Sequence, residues 1–305
     1  MKRPQALPFA ALFQELRGMV DNQPLREILL AAHGYKVARL CIAEEQVPAL
    51  TRSLESAALW VDLHNMKQVH APDSGKGRWI SASGPEVPIE SAQSGYLYLY
   101  VGSDPEKVLA ARKAEQAPDH DVFGTLLGYP ACCIDFYKQN LADAEKEQGD
   151  FMLPLLAASL KQRTGALPIF PAWTNIAAQY FGYGLLSFYP CSFCCPEARS
   201  IAEQSFALLQ RYDREFADNF LETAKQPVLY TEYEGIYLFQ GATLRGHCLH
   251  YDPSLVERTL DGVLSAMIQV SNRIDIDSAH RITLRKGRCL TGRLESPYLG
   301  LFLFA

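Results

Sequence analysis

The chain has 305 residues, 48% hydrophobic and 21% charged, enough for a substantial core and too ordinary for a disordered or fibrous class. Its 29 basic and 34 acidic residues leave a formal net charge of −5, which argues against attachment to nucleic acid through overall charge. Eight cysteines are too few for a disulfide-stapled scaffold of this length, so their clustering matters more than their number.

The start, Met1-Lys2-Arg3, is basic, but the apolar stretch Leu7 to Phe13 is short and Glu15 and Arg17 break it, so no secretory leader is expected. Phe9, Leu12, Phe13, Leu16 and Val20 instead mark one helical face. Helices are predicted over about 8–19 and 24–33, followed by a β-like run from Tyr35 to Ile42. Glu44 to Ser56 is helical in pattern, and Ala58 to Leu63 is a second apolar run. A Gly/Pro/Ser-rich loop from Pro72 to Pro88 leads to a third strand at Tyr96–Val101. Asp104 then caps a helix that starts at Pro105 and reaches about Gln116. Residues 1–118 therefore read as an α/β region with a small sheet.

Residues 119–226 read as mainly helical and hold five of the eight cysteines. Thr164 to Pro196 carries no charge and is long enough for a bilayer, but Pro168, Pro171, Pro190, Gly182 and Gly184 interrupt it. It reads as buried core, and the expectation is a soluble, cytoplasmic protein with reduced thiols. Residues 227–305 turn to α+β. Val228–Thr231 and Ile236–Gln240 flank Glu234-Gly235 as a hairpin, a helix is predicted over Leu255–Val270, and β-like runs follow at Ile282–Leu284 and Leu299–Phe304. The fold class is thus α/β plus α+β, with a helical cysteine-bearing middle.

The first cysteine cluster is Gly128-Tyr129-Pro130-Ala131-Cys132-Cys133. Gly128 suits the end of one helix and Pro130 the first position of the next. Cys132 and Cys133 then fall in a first turn, where unpaired N–H groups and the helix dipole favour thiolate over thiol. Asp135, close behind, is a candidate proton carrier, although an acid there also simply complements the dipole.

The second cluster is Pro190-Cys191-Ser192-Phe193-Cys194-Cys195-Pro196. Pro196 suits another helix start, which puts Cys195 near the N-cap, and Cys191 with Cys194 forms a C-x-x-C that suits one metal. Convergence of the two helix starts is the geometric expectation. Three chemistries compete for Cys132, Cys133, Cys191, Cys194 and Cys195. Structural zinc ordinarily wants two C-x-x-C pairs and finds one; an iron–sulfur cluster fits uneven spacing better; a dithiol–disulfide couple is the third. Cys41 and Cys289 read as small core residues.

The two signatures resemble those of an uncharacterised prokaryotic family of unknown function, with a GYPxCC turn and a later histidine-preceded PCSxxC turn. The resemblance spans mostly residues 96–200 and carries over Cys132, Cys133, Cys191 and Cys195, with Cys194 extra. Tyr189 stands before Pro190 here, and the nearby stretch holds no histidine.

Among the remaining groups, His247 and His250 flank Cys248 and are candidates for proton transfer or a metal shell. An exposed loop is the plainer reading. Asp275 and Asp277 share a strand face. Arg281, Arg285 and Arg288, continued by Arg293, form a basic run fit to clamp a carboxylate or phosphate, or simply a solvated face.

The sequence thus points to a cysteine-ligated, preferentially iron–sulfur, protein. The leading expectation is an oxidoreductase- or lyase-like enzyme acting on a small polar, anionic substrate. The alternative is a non-catalytic zinc or thiol-redox binding module.

Overall fold

The computed structural model describes residues 9–69, 85–146, 150–162, 167 and 169–305. Met1-Lys2-Arg3, most of the loop expected at Pro72–Pro88, and Thr164, Gly165 and Pro168 lie outside them. The chain divides into two compact units. One combines Met1–Pro72, Ala82–Lys138 and Glu203–Ala217; the other includes Gln139–Ala202 and Asp218–Ala305. The expected region 227–305 falls in the second unit, while 119–226 is divided between the two, 119–138 and 203–217 belonging to the first and 139–202 and 218–226 to the second.

In the first unit, α1 (Phe9–Arg17) buries Leu12, Phe13 and Leu16, the helical stripe read from the sequence. α2 (Asn22–Ala32) follows, then β1 (Ala38–Ala43) and a 3-10 turn at Glu44–Gln46. α3 (Val47–Ser56), β2 (Trp60–Val69), β3 (Glu86–Pro88) and β4 (Gly95–Gly102) continue the chain. The sheet runs β1-β4-β2-β3 and every pairing is antiparallel. β4 lies in its interior and is buried from Leu97 onward, as its β-branched and aromatic run requires.

α4 (Pro105–Gln116) starts where Asp104 caps it, the carboxylate accepting from the Glu106 and Lys107 amides. Asp119 caps α5 (His120–Leu126) in the same way. Gly128, at φ +72°, then turns the chain and lets the Tyr129 amide reach the Gly124 carbonyl. α6 (Ala131–Lys146) begins three residues later.

α7 (Met152–Leu160), β5 (Ile169–Phe170) and two 3-10 segments at Ala172–Thr174 and Ile176–Phe181 lead to α8 (Pro196–Tyr212) and α9 (Arg214–Ala224). The uncharged stretch is therefore broken into short pieces by its prolines and glycines, and many of its described side chains are buried. No helix among the described residues is long and apolar enough to cross a membrane.

The C-terminal part builds two five-stranded sheets. Its elements are β6 (Val228–Thr231), β7 (Ile236–Phe239), β8 (Thr243–Arg245), β9 (Cys248–His250), β10 (Val256–Arg258), α10 (Val263–Gln269), β11 (Arg273–Ser278), β12 (Arg281–Lys286), β13 (Cys289–Glu295) and β14 (Leu299–Phe304). One sheet is ordered β10-β7-β6-β14-β5, the other β13-β12-β11-β9-β8. A single core joins them, with Leu229, Tyr237, Phe239, Ile274, Ile282, Leu284 and Leu301 among its members.

The expected hairpin is present, with Gly235 at φ +92° in its turn. The helix expected over Leu255–Val270 shrinks to Val263–Gln269. Val256–Arg258 pairs with β7 instead, and extended Gly262 delays the helix start. The loop expected around His247 is a hairpin, because Gly246 at φ +59° supplies its tight turn. Cys41 and Cys289 are exposed rather than core, since Cys41 faces outward between buried Leu40 and Ile42.

Candidate metal centre

Each cysteine is positioned by local backbone chemistry. At the start of α6 the Cys133 and Ile134 amides both donate to the Pro130 carbonyl, which places Pro130 one position ahead of the first helical residue. Cys132 and Cys133 therefore occupy the amino-terminal turn, where the dipole is positive. Cys132 is exposed, Cys133 is buried, and their sulfurs stand 3.8 Å apart.

The second turn is tied down on its own side. Phe193 is fully buried against Phe170, Phe302 and Phe304, its amide donates to Ser159 Oγ at 2.8 Å, and its carbonyl accepts from Thr174 Oγ1 at 2.6 Å. Ser192 Oγ takes the Cys194 amide and donates to Gln162 Oε1. Cys195 caps α8 with both carbonyl and sulfur. Its carbonyl accepts the Arg199 amide, and its sulfur accepts the Ala198 amide at 3.5 Å, the part an oxygen plays at an ordinary N-cap. Cys195 Sγ also lies 3.4 Å from Glu197 Oε2.

The sulfurs of Cys132, Cys133, Cys191 and Cys195 all lie within 4.8 Å of one another, an arrangement able to hold a metal ion. Cys194, the fifth cysteine expected at the site, is not part of this group; its amide is used in the turn.

The other sequence candidates sit elsewhere. Asp135 is exposed and shares Lys138 with Asp121. His247 is exposed at a hairpin tip, and its carbonyl takes the Ile276 amide at 2.8 Å. His250 is a strand residue opposite Thr243 and Arg273. Between them Cys248 donates to Asp275 Oδ1 at 3.3 Å, and burial together with that carboxylate pushes its pKa up, so it is a thiol. Asp275 and Asp277 do share a strand face, but arginines occupy them. Arg273 and Arg285 hold Asp275, and Arg281 lies 3.7 Å from Asp277. The basic run is thereby divided: Arg285 is committed to Asp275, Arg281 stands between Asp277 and Glu295, and Arg288 lies in the turn between β12 and β13.

A buried polar group with no sign in the sequence centres on Asp150. Asp150 is 3% exposed and accepts from Tyr180, Tyr230 and the Met152 amide at 2.8–3.0 Å, while Tyr180 meets Tyr189 at 3.2 Å. Burial, then the Asp150 charge, holds the Tyr180 and Tyr230 hydroxyls protonated far above the ordinary tyrosine range. Positions 150, 180, 189 and 230 share no periodicity, so no sequence signal was there to find. No protein-family model, curated protein or solved structure matches the chain.

Proposed function

We propose that this protein is a metal-binding module in which Cys132, Cys133, Cys191 and Cys195 hold one ion as four thiolates. The observation that carries the reading is the compactness of the four sulfurs, all within 4.8 Å of one another. A tetrahedral ion with metal–sulfur bonds of ~2.3 Å has sulfur–sulfur edges of about 3.8 Å. The Cys132–Cys133 separation is 3.8 Å. A [4Fe–4S] cluster takes one thiolate on each iron and a [2Fe–2S] cluster two on each of two irons, so in either the four sulfurs do not share one ion and spread further. The geometry thus supports zinc, the alternative in the sequence reading, over the iron–sulfur cluster that uneven spacing favoured.

Four thiolates fill a tetrahedral ion and leave no open position for substrate. This supports an organising role for the ion over activation of a bound molecule. The helix-start dipole at Cys132 and Cys133 and the amide donated to Cys195 Sγ both stabilise sulfur in its anionic, ligating form.

The test is metal and thiol analysis of protein purified under reducing, oxygen-free conditions. The expected result is colourless protein with one zinc per chain and no sulfide. Cobalt exchanged for the zinc should give the visible bands of tetrahedral thiolate coordination. Brown protein containing iron and sulfide overturns the single-ion reading, and metal-free protein with a reversible disulfide replaces it with a redox couple.

A further inference from the structure

A second feature lies wholly within the C-terminal unit and is independent of the thiolates. It is an open cleft of about 970 Å³, lined by the β11–β12 turn, the β13–β14 turn, one side of α7 and Asn140 and Asp143 of α6. This lies at the upper end of the roughly 300–1,000 Å³ common for small-molecule sites.

Backbone bonds strap the two turns together. The Ser296 amide donates to the His280 carbonyl at 3.2 Å, and the Leu301 amide donates to the Ala279 carbonyl at 2.8 Å. His280 Nδ1 lies 2.6 Å from the Leu299 carbonyl. A carbonyl only accepts, so Nδ1 carries a proton, and in the neutral ring Nε2 is the accepting nitrogen.

Beside it Arg281 is incompletely used. Its guanidinium lies 3.7 Å from Asp277 and 3.6 Å from Glu295, beyond the ~2.7–2.9 Å of a charge-assisted hydrogen bond. Arg281 Nε is buried 3.7 Å from Asp277 Oδ2 with no hydrogen bond among the described residues, so the donors open to a ligand are the terminal nitrogens of the partly exposed side chain. Leu153, Pro154, Ala157 and Tyr298 give the cleft an apolar wall, while Asp143 and Glu295 add carboxylates that oppose a polyanion.

We propose that this cleft binds an organic monoanion with an apolar or aromatic body. Its carboxylate meets the donors of Arg281, its body lies along Leu153, Pro154 and Tyr298, and His280 Nε2 accepts from any hydroxyl or amine it carries.

The experiment uses the full, metal-replete chain and two probes of similar shape, 4-phenylbutyrate and 4-phenylbutanol, followed by calorimetry and saturation-transfer NMR. The butyrate should bind saturably at 1:1 and at least tenfold more tightly than the alcohol. Arg281→Gln should abolish that tenfold preference and leave the alcohol unaffected. Ala157→Trp, at an exposed position of α7, should block both probes by filling the cleft. Equal affinity for the two probes overturns the proposal, as does a preference that survives Arg281→Gln or binding that survives Ala157→Trp. If Arg281→Gln does not fold, the wild-type preference and the Ala157→Trp result still decide.

Discussion

At the scale of single residues, the centre makes sharp demands on chemistry that serine cannot meet. Cys133 and Cys195 are both buried and belong to the group of four, so Cys133→Ser and Cys195→Ser should each lose the ion, read as metal per chain by mass spectrometry. Cys41→Ala and Cys289→Ala, at exposed positions outside the group, should keep it. Asp150 is a different case, because donors that include Tyr180, Tyr230 and the Met152 amide support a charge inside the core. Tyr230→Phe deletes one of them and should lower unfolding free energy by about 1–2 kcal/mol in a urea titration. Asp275 supplies the pH dependence. Its partial burial works to raise the pKa, but hydrogen bonds from Arg285, Cys248 and Arg273 outweigh that and hold the carboxyl below its ordinary value. A depressed folded-state pKa contributes stability that is fully present above the unfolded value of about 3.9 and is lost as pH falls through the folded one. Melting temperature should therefore fall more steeply with acid in the wild type than in Asp275→Asn over that window.

At the scale of elements, helix starts and stops carry much of the specification. Asp104→Ala removes the side-chain acceptor for two amides of α4 and should cost about 1 kcal/mol. Gly128 holds φ +72° between α5 and α6, and a Cβ there would stand 3.2 Å from Lys36 Cβ. Gly128→Ala should cost roughly 1–2 kcal/mol from the left-handed backbone alone, visible as a lowered urea midpoint. Beside this turn α2 contributes a buried ion group: Glu27 bonds Lys36 at 2.5 Å and Arg26 at 2.8 Å, and Arg26 is 1% exposed. Burial opposes the charge on Glu27, yet Lys36 and then Arg26 hold its pKa below the usual carboxylate range. Glu27→Gln removes the buried carboxylate that Lys36 and Arg26 share and should cost about 3–5 kcal/mol, or prevent folding.

At the scale of the whole molecule, an ion bound by the native state and not by the unfolded chain stabilises by mass action. A strong chelator should lower the melting temperature of the wild type, zinc should restore it, and Cys195→Ser should not respond to either. By itself the sequence determined the pieces whose signals are local. The stripe Leu12, Phe13 and Leu16, the Asp104 cap, the aromatic strand Tyr96–Val101 and the Glu234-Gly235 hairpin follow from periodicity and turn chemistry, which act over a few residues. The helix starts beside Cys132 and Cys195 were legible for the same reason, since proline and glycine punctuate a chain wherever they fall. Partnership was not legible. Val256–Arg258 looks helical until β7 offers it a ladder, and Asp275 looks available until Arg273 and Arg285 close on it. Asp150 meets tyrosines thirty and eighty residues away, and Cys194 leaves the metal group although its C-x-x-C spacing is right. These outcomes depend on distances between residues remote along the chain, which spacing does not encode and only tertiary packing sets.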